Sequence, residues 1–128
     1  MAIALVRAVR GAVTVANNDA DEIIAACKVL LDELMRRNKL SEDDLISVFF
    51  TVTADLDQAF PARAAREMGL TGTPLMCATE IAVPGSLPRC IRVMIHCHTE
   101  LAKAKVQHVY LGKAVSLRPD LVRGDSSD

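Results

Sequence analysis

One long amphipathic helix, predicted over residues 18–38, constrains the fold of this chain more than any other feature of its sequence. Its apolar positions recur at helical spacing: Ile23, Cys27, Leu30, Leu31 and Leu34. Asn17 or Asn18 can cap its first turn, and the basic residues near its end suit the helix dipole. One long helix can cover only part of a sheet, so the number of strands decides what else the fold needs.

Five further segments are predicted to be strands. Alternation over residues 3–15 indicates the first, in which Gly11 marks a bend or a bulge. The others are predicted at about 44–54, 73–83 and 89–98, and in a segment that begins at 108 and turns before 119. The strand over 44–54 has apolar side chains on both faces, which predicts burial on both.

A short helix is predicted at about residues 59–69, with Pro61 in its first turn and Gly69 as its terminator. The polar segment over 99–107 is predicted to be a helix or a connection. The resulting order is strand, helix, strand, helix, two strands, the optional helix and a last strand, which predicts an α+β or mixed α/β fold with helices packed on a mixed sheet. So few helices cannot cover strands that are apolar on both faces. We therefore expect a homo-oligomer of cyclic symmetry.

Composition excludes several classes of protein. The net charge of −1 and the scarcity of aromatic residues (three Phe, one Tyr, no Trp) argue against nucleic acid or an anionic membrane as a partner. No apolar run approaches the roughly 18 residues of a membrane span, and arginines within the N-terminal segment argue against a signal peptide. The four cysteines form no CxxC pair, which favours reduced thiols and a cytoplasmic location. Residues 1–122 are predicted to form one domain, and 123–128 a disordered tail.

The stretch "PRCIRVMIHCH" (88–98) combines two histidines, two cysteines and an arginine. It could be a metal-ligand cluster, a strand with a polar side facing water, or a wall of an anion-binding site. Strand alternation puts Arg92, His96 and His98 on one face and Cys97 on the other. A closed zinc site needs about four convergent ligands, and the sequence offers no second cluster at metal-binding spacing. Neither a metal nor any other cofactor is predicted.

Four arginines in or beside apolar segments are the stronger signal: Arg10, Arg66, Arg92 and Arg118. A buried guanidinium needs an anion, either among the chain's 16 acidic side chains or in a ligand that carries carboxylates or phosphates. The sequence contains neither GxxxxGK[ST] nor GxGxxG, so small dicarboxylates are the predicted ligand class. Glu80, an acid in an apolar strand, either faces water at a sheet edge or accepts a hydrogen bond from a substrate hydroxyl. No Ser/His/Asp or Cys/His arrangement indicates covalent catalysis.

Four stretches together resemble the monofunctional AroH-class chorismate mutases. They are "VRGAVTV" (9–15), "TADLDQAFPARAAREMG" (53–69), "CATEIAVPGSLPRCIRVMI" (77–95) and "HVYLGKAVSLRPDL" (108–121). The stretches fall in order with compatible spacing and cover nearly the whole chain. The resemblance implies a homotrimeric pseudo-α/β-barrel in the cytoplasm, with clefts at the subunit interfaces. It also implies conversion of chorismate to prephenate, the branch step toward phenylalanine and tyrosine in aromatic amino acid biosynthesis.

The resemblance also implies roles for individual residues. Arg92 would lie beside the ether oxygen of the bond that breaks, Glu80 would accept a hydrogen bond from the ring hydroxyl, and Arg10 would bind a substrate carboxylate. The implied binding residues are Tyr110 on a carboxylate, Phe60 as a wall, Arg66 at the mouth, Cys77 near the ring hydroxyl, and Leu117 and Arg118 closing the site. Alternation would point Cys77 and Glu80 to opposite faces, so Cys77 is expected to act through its backbone or from an irregular strand.

The chain departs from the family pattern in three places: Arg63, a further implied binding residue, stands where relatives carry lysine, Met76 stands where they carry a small polar residue, and a few extra residues precede the first strand. These departures bear on the rim of the site and on access to it. Two alternatives remain: a Rid-like trimeric imine deaminase, and a trimeric module that binds a metabolite without catalysis. The ending "HVYLGKAVSLRPD" and the acid of "CATE" argue against the deaminase.

Overall fold

A computed structural model of the chain describes residues 3–117. Within them lie five strands and two α-helices: β1 (Leu5–Thr14), α1 (Ala20–Arg37), β2 (Leu45–Val52), α2 (Pro61–Glu67), β3 (Leu75–Thr79), β4 (Cys90–Thr99) and β5 (Val109–Leu111). Short 3-10 turns occupy Glu42–Asp44, Lys103–Lys105 and Gly112–Leu117. The predicted α+β class and the predicted order of the five strands and two helices are confirmed, and the segment predicted over 99–107 as a helix or a connection is a connection that contains one 3-10 turn. Arg118 and the tail 123–128 lie outside the described residues.

The strands form one mixed sheet in the order β3-β2-β4-β1-β5. The central strand, β4, runs antiparallel to both β1 and β2, while β5 is parallel to β1 and β3 is parallel to β2. Arg92 of β4 is therefore flanked by Ala12 of β1 and Thr51 of β2, with Tyr110 of β5 beyond Ala12. This register sets the layout of the candidate site.

Both helices pack on one face of the sheet, which we call the covered face. Val9 of β1, Phe50 of β2 and Ile95 of β4 are fully buried there against the apolar side of α1 and the alanines of α2. The opposite face, which we call the open face, presents alternate side chains of the same strands to solvent, among them Phe49 of β2. In a single chain only the covered face of the strand predicted over 44–54 is buried, and its predicted burial on both faces stays a prediction. No helix among residues 3–117 is long and apolar enough to cross a membrane.

Helix α1 begins one residue later than a cap at Asn18 would allow and two residues later than a cap at Asn17 would allow. Asp19 is the N-cap, and its carboxylate accepts a hydrogen bond of 3.0 Å from the backbone N–H of Glu22. Asn17 instead donates to the side chain of Glu22. For α2 both predicted signals are confirmed, since Pro61 opens the helix and Gly69 follows it with φ of 95°.

Gly11 marks neither a bend nor a bulge, because β1 keeps its register with β4 from Leu5 to Thr14. A Cβ at Gly11 would stand 2.9 Å from a methyl carbon of Leu34 and 3.0 Å from the carbonyl oxygen of Val109. The glycine therefore allows α1 and β5 to approach β1 closely. The irregularity in the sheet lies between Leu45 and Ser47 of β2, where the register with β4 shifts.

Candidate active site

An open cavity of about 320 Å³ lies on the open face, above the row of residues that crosses the sheet at Arg92. Its lining residues are Arg10, Gly11, Phe49, Thr51, Arg92, Val93, Met94 and Tyr110. Three of the residues predicted from sequence, Arg10, Arg92 and Tyr110, therefore share one cavity. It combines permanent cations with apolar walls, which suits a small anionic molecule.

Arg92 and Glu80 form an ion pair at the edge of this cavity. Nε of Arg92 lies 3.0 Å from Oε2 of Glu80, whose side chain is only 14% exposed. The Nε–H bond does not point at that oxygen, so this buried N–H has no hydrogen-bond acceptor among residues 3–117. The contact is therefore electrostatic, and it leaves a charged donor available.

Glu80 follows β3 and does not belong to it, which corrects its predicted place within a strand. Its backbone N–H still donates to the carbonyl oxygen of Val52 at 2.9 Å, and this bond keeps it beside β2. The side chain reaches the open face, where Oε2 accepts a hydrogen bond of 2.6 Å from the hydroxyl of Thr51. Thr51 was missed in the sequence, although Ser47 and Thr51 are the polar residues of β2 and share one face at strand spacing.

Tyr110 is buried, with 6% of its surface exposed, and packs with Ala12, Cys90 and Ala114. Leu117 packs at the margin of the same group. The hydroxyl oxygen of Tyr110 is buried and makes no hydrogen bond to any residue from 3 to 117. A buried hydroxyl without a partner destabilises a protein by about 1–3 kcal/mol, so this group favours a ligand in the cavity.

Arg10 lies half-buried on β1, one row along the sheet from Ala12. Its backbone N–H donates to Nδ1 of His108 at 3.0 Å. Within the described part of the chain its guanidinium pairs with no carboxylate, unlike that of Arg92. Of the two cations in the cavity, Arg92 therefore has a counter-ion within residues 3–117, and Arg10 does not.

A second cavity, of about 360 Å³, contains two other predicted residues, Phe60 and Cys77. Phe60 is 73% exposed there, although it precedes α2 and bears a large apolar ring. Cys77 pairs in register with the buried Phe50 and packs with the core, so its side chain faces the covered face. The prediction that Cys77 and Glu80 point to opposite faces is confirmed. One chain does not bring Phe60 and Cys77 together with Arg92.

The remaining arginines lie at the surface. Nε of Arg63 donates to Glu67 at 2.7 Å along α2. Arg66 is exposed, so the sequence-based expectation of an apolar environment around it was wrong. Its neighbours Ala64 and Ala65 are buried instead, because the helical repeat turns them to the core. Met76 is 65% exposed on the open side of β3.

Neither the cysteines nor the histidines form a reactive cluster. Burial raises the pKa of Cys27 to about 12 and that of Cys90 to about 11, and burial also raises the pKa of Cys97. These three thiols are therefore poor nucleophiles at neutral pH. His96 is hydrogen-bonded to Ser47 at 3.1 Å, and His98 is exposed. Residues 3–117 contain no group of three or more His, Cys, Asp or Glu side chains that could hold a metal ion.

Fold and site together define a class: a small α+β protein whose helix-free sheet face holds a cationic cavity. A family model described as chorismate mutase type I matches residues 6–121. Chorismate mutase AroH of Thermus thermophilus is 48% identical over 118 residues, which cover 91% of this chain and 97% of the relative. The Bacillus subtilis protein of the same name is 39% identical over 118 residues, covering 91% of this chain and 93% of the relative.

A solved structure, a chorismate mutase from Clostridium thermocellum, matches with a TM-score of 0.84 and 58% identity, covering 85% of this chain and 97% of that chain. The chain therefore belongs to the chorismate mutase type I family. The resemblance inferred from the four sequence stretches is confirmed. The predicted isomerase of aromatic amino acid biosynthesis is confirmed with it, in preference to a Rid-like deaminase.

Proposed function

We propose that the open-face cavity binds chorismate and converts it to prephenate, and that a neighbouring copy of the chain completes the site. The reaction is unimolecular: one C–O bond breaks while one C–C bond forms, and no proton transfer, nucleophile or cofactor is needed. Catalysis must therefore come from holding the reactive conformer and from stabilising the charge that separates as the bonds change.

The single observation that carries this proposal is the pair of unpartnered polar atoms in one cavity. Nε–H of Arg92 and the hydroxyl of Tyr110 are both buried without a hydrogen-bond partner among residues 3–117. Both residues line the cavity that also contains Arg10. A dicarboxylate with an ether oxygen supplies acceptors for all three groups.

Arg92 has the central role in the proposed mechanism. The ether oxygen gains negative charge as its bond to the ring breaks, and Arg92 is a permanent cation whose Nε–H makes no hydrogen bond to any residue from 3 to 117. The ring gains positive character, which Glu80 stabilises while accepting a hydrogen bond from the ring hydroxyl. Arg10 and Tyr110 hold the two carboxylates. The apolar walls lower the local dielectric constant and strengthen these interactions.

The division of the predicted residues between two cavities supports a site shared by two subunits. Phe60 is 73% exposed at the second cavity, where it is free to contact another copy. The open face also exposes Phe49 and Met76, apolar side chains that a neighbouring copy would cover. We therefore propose a homotrimer in which Phe60, Cys77, Arg63 and Arg66 of one subunit face Arg92 of the next. Arg118 is proposed to close the site beside Leu117.

A cytoplasmic location is part of the same proposal. All four cysteines are free, and Cys27, Cys90 and Cys97 are buried. Unpaired thiols are typical of proteins that work in a reducing compartment.

Loss of chorismate absorbance with the purified protein tests the activity. Two variants then test the shared site: Arg92→Gln impairs the open-face half, and Phe60→Ala impairs the second half. In a trimer reassembled from equal amounts of both, about a quarter of the sites combine two intact halves. We expect the mixture to recover about a quarter of wild-type activity, well above the mean of the two parents.

Activity equal to that mean would contradict a shared site. Absence of turnover by the wild-type chain would contradict the proposed reaction itself. Sedimentation provides an independent check, because chains of 13.8 kDa should sediment as an assembly of three.

A further inference from the structure

We infer that Thr51 is a positioning residue for the proposed reaction: its hydroxyl holds Glu80 so that Arg92 keeps its Nε–H free. The inference rests on the proposed function. It concerns a residue that the sequence did not single out and that lies directly opposite Arg92 in the pairing of β2 with β4.

The geometry places Thr51 between the two charged groups. Its side chain shares the open face with Arg92, and its hydroxyl donates to Oε2 of Glu80 at 2.6 Å. A short O–H···O⁻ bond to a largely buried carboxylate is among the stronger hydrogen bonds in proteins. Among residues 3–117 it is the only hydrogen bond made by this carboxylate.

Glu80 needs such a support because the sheet does not provide one. Glu80 lies beyond the end of β3. Its side chain is therefore not restrained between paired strands on both sides. A glutamate side chain that nothing restrains samples several rotamers, and ordering it opposes the interaction. The backbone bond to Val52 anchors the residue, and the Thr51 hydroxyl selects the direction of the carboxylate.

In this arrangement the two carboxylate oxygens of Glu80 have different roles. Oε2 is held by Thr51 and lies 3.0 Å from Nε of Arg92, while Oε1 is left to accept the substrate hydroxyl. Without Thr51, the Glu80 carboxylate can turn to accept the Nε–H of Arg92 directly. That bond would occupy the donor which the breaking ether bond needs, and it would weaken transition-state stabilisation.

The test compares Thr51→Val, which removes the hydroxyl at nearly constant shape, with Thr51→Ser, which keeps it. We expect Thr51→Val to lower kcat about tenfold with a smaller change in KM, as for the loss of one hydrogen bond to a charged group. Thr51→Ser should recover most of that loss. A Thr51→Ser variant as impaired as Thr51→Val would overturn the inference, because the methyl group and not the hydroxyl would then matter.

The Glu80→Ala background separates positioning from direct contact with substrate. If Thr51 acts through Glu80, adding Thr51→Val to Glu80→Ala should lower kcat by less than about twofold further. A second tenfold loss would mean that Thr51 acts independently of Glu80, and would contradict the inference.

Crystal structures of the two Thr51 variants without substrate supply a readout that does not depend on activity. In Thr51→Val the Glu80 carboxylate should rotate to accept the Arg92 Nε–H, and in Thr51→Ser it should stay in place. An unmoved carboxylate in Thr51→Val would overturn the inference even in an active enzyme. A wild-type chain without turnover would contradict the proposed function, and the position of Glu80 would still decide whether Thr51 holds it.

Discussion

The two faces of the sheet are built from alternate residues of the same strands, yet they differ in burial, in packing and in charge. On the covered face, Phe50 and Ile95 are fully buried among aliphatic side chains of α1. On the open face, the preceding residue of β2, Phe49, is 40% exposed, and Arg92 lies one row of side chains away. Stability is concentrated on one side of the sheet, and the proposed chemistry on the other.

This difference has a physical basis. A closely packed apolar core stabilises the fold but offers no group that can stabilise separating charge. The open face keeps two buried polar atoms and a guanidinium that find no partner among residues 3–117, and all three oppose stability in the isolated chain. Substitutions on the covered face should therefore lower the free energy of unfolding, and substitutions on the open face should lower activity or assembly.

Substitution of the adjacent phenylalanines of β2 tests the difference between the two faces, and Phe50→Ala should have the largest effect on the free energy of unfolding. Phe50→Ala leaves a cavity in the core and should lower the free energy of unfolding by about 3–5 kcal/mol. Phe49→Ala should lower it by less than about 1 kcal/mol in dissociated chains, because its ring is partly in water. Urea denaturation at low protein concentration measures both.

At higher concentration Phe49→Ala should also shift sedimentation toward smaller species, because it removes apolar surface from the proposed contact between copies. Equal losses of stability from the two substitutions in dissociated chains would show that the faces do not differ as the comparison requires.

The covered face could be predicted from the sequence, and the open face only in part. The helical repeat through Ile23 and Leu34 and the alternation around Ile95 directly record which side chains avoid water. Two details were wrong. The capping residue was misplaced, because Asn17, Asn18 and Asp19 are all good caps and the choice depends on where the preceding strand ends. Gly11 allows close packing of α1 and does not mark a bend or a bulge.

The open-face site depends on pairing between strands distant in sequence, which periodicity does not encode. Alternation placed Arg92 on a face, but only the register of β2 with β4 places Thr51 beside it. Glu80 was assigned to a strand because its neighbours are apolar, whereas β3 ends at Thr79. Phe60 and Cys77 came from the resemblance alone, and a single chain holds them in a separate cavity.

Arg92 offers the next largest effect, this time on activity. Arg92→Gln removes the cation proposed to meet the ether oxygen and should lower kcat by roughly 10² to 10³. Arg92→Lys keeps the charge but loses the planar fork, so it should retain more activity. Chorismate turnover measures both, and Arg36→Gln on the exposed side of α1 is the matched control.

The comparison also predicts that Arg92→Gln should change the free energy of unfolding far less than Phe50→Ala does. A loss of stability as large as that of Phe50→Ala would place Arg92 among the structural residues. Full activity of Arg92→Gln would exclude it from the site.

Asp55 lies at the start of the central strand β4, whose residues contribute to both faces. Its substitution should have the smallest effect on stability of those considered. Its two carboxylate oxygens accept the backbone N–H of Arg89 at 3.2 and 3.0 Å, just before β4 begins. Arg89 has φ of 48°, a left-handed conformation that disfavours a side chain and needs such support. Thr53 donates a hydrogen bond to Asp55 and accepts one from the backbone N–H of Cys90. We call these hydrogen bonds of Thr53 and Asp55 to Arg89 and Cys90 the clamp on β4.

Burial alone would raise the pKa of Asp55, but the hydrogen bonds from Thr53 and Arg89 and the charge of Arg89 outweigh it and lower the pKa. A lowered folded-state pKa stabilises the fold above the unfolded value of about 3.9 and ceases to do so as the pH falls through the folded-state value. Asp55→Asn should therefore be less stable than wild type at pH 7, by less than about 1 kcal/mol because the carboxylate is exposed.

Urea denaturation at pH 7 and at successively lower pH measures this difference, which should shrink once wild-type Asp55 is protonated. Asp43→Asn, in the exposed turn before β2, controls for the loss of one negative charge. A difference that stays constant down to the lowest pH would mean that the clamp depends on the shape of the side chain and not on its charge. In that case the start of β4, and Arg92 two residues into it, would be held by packing shared between the faces.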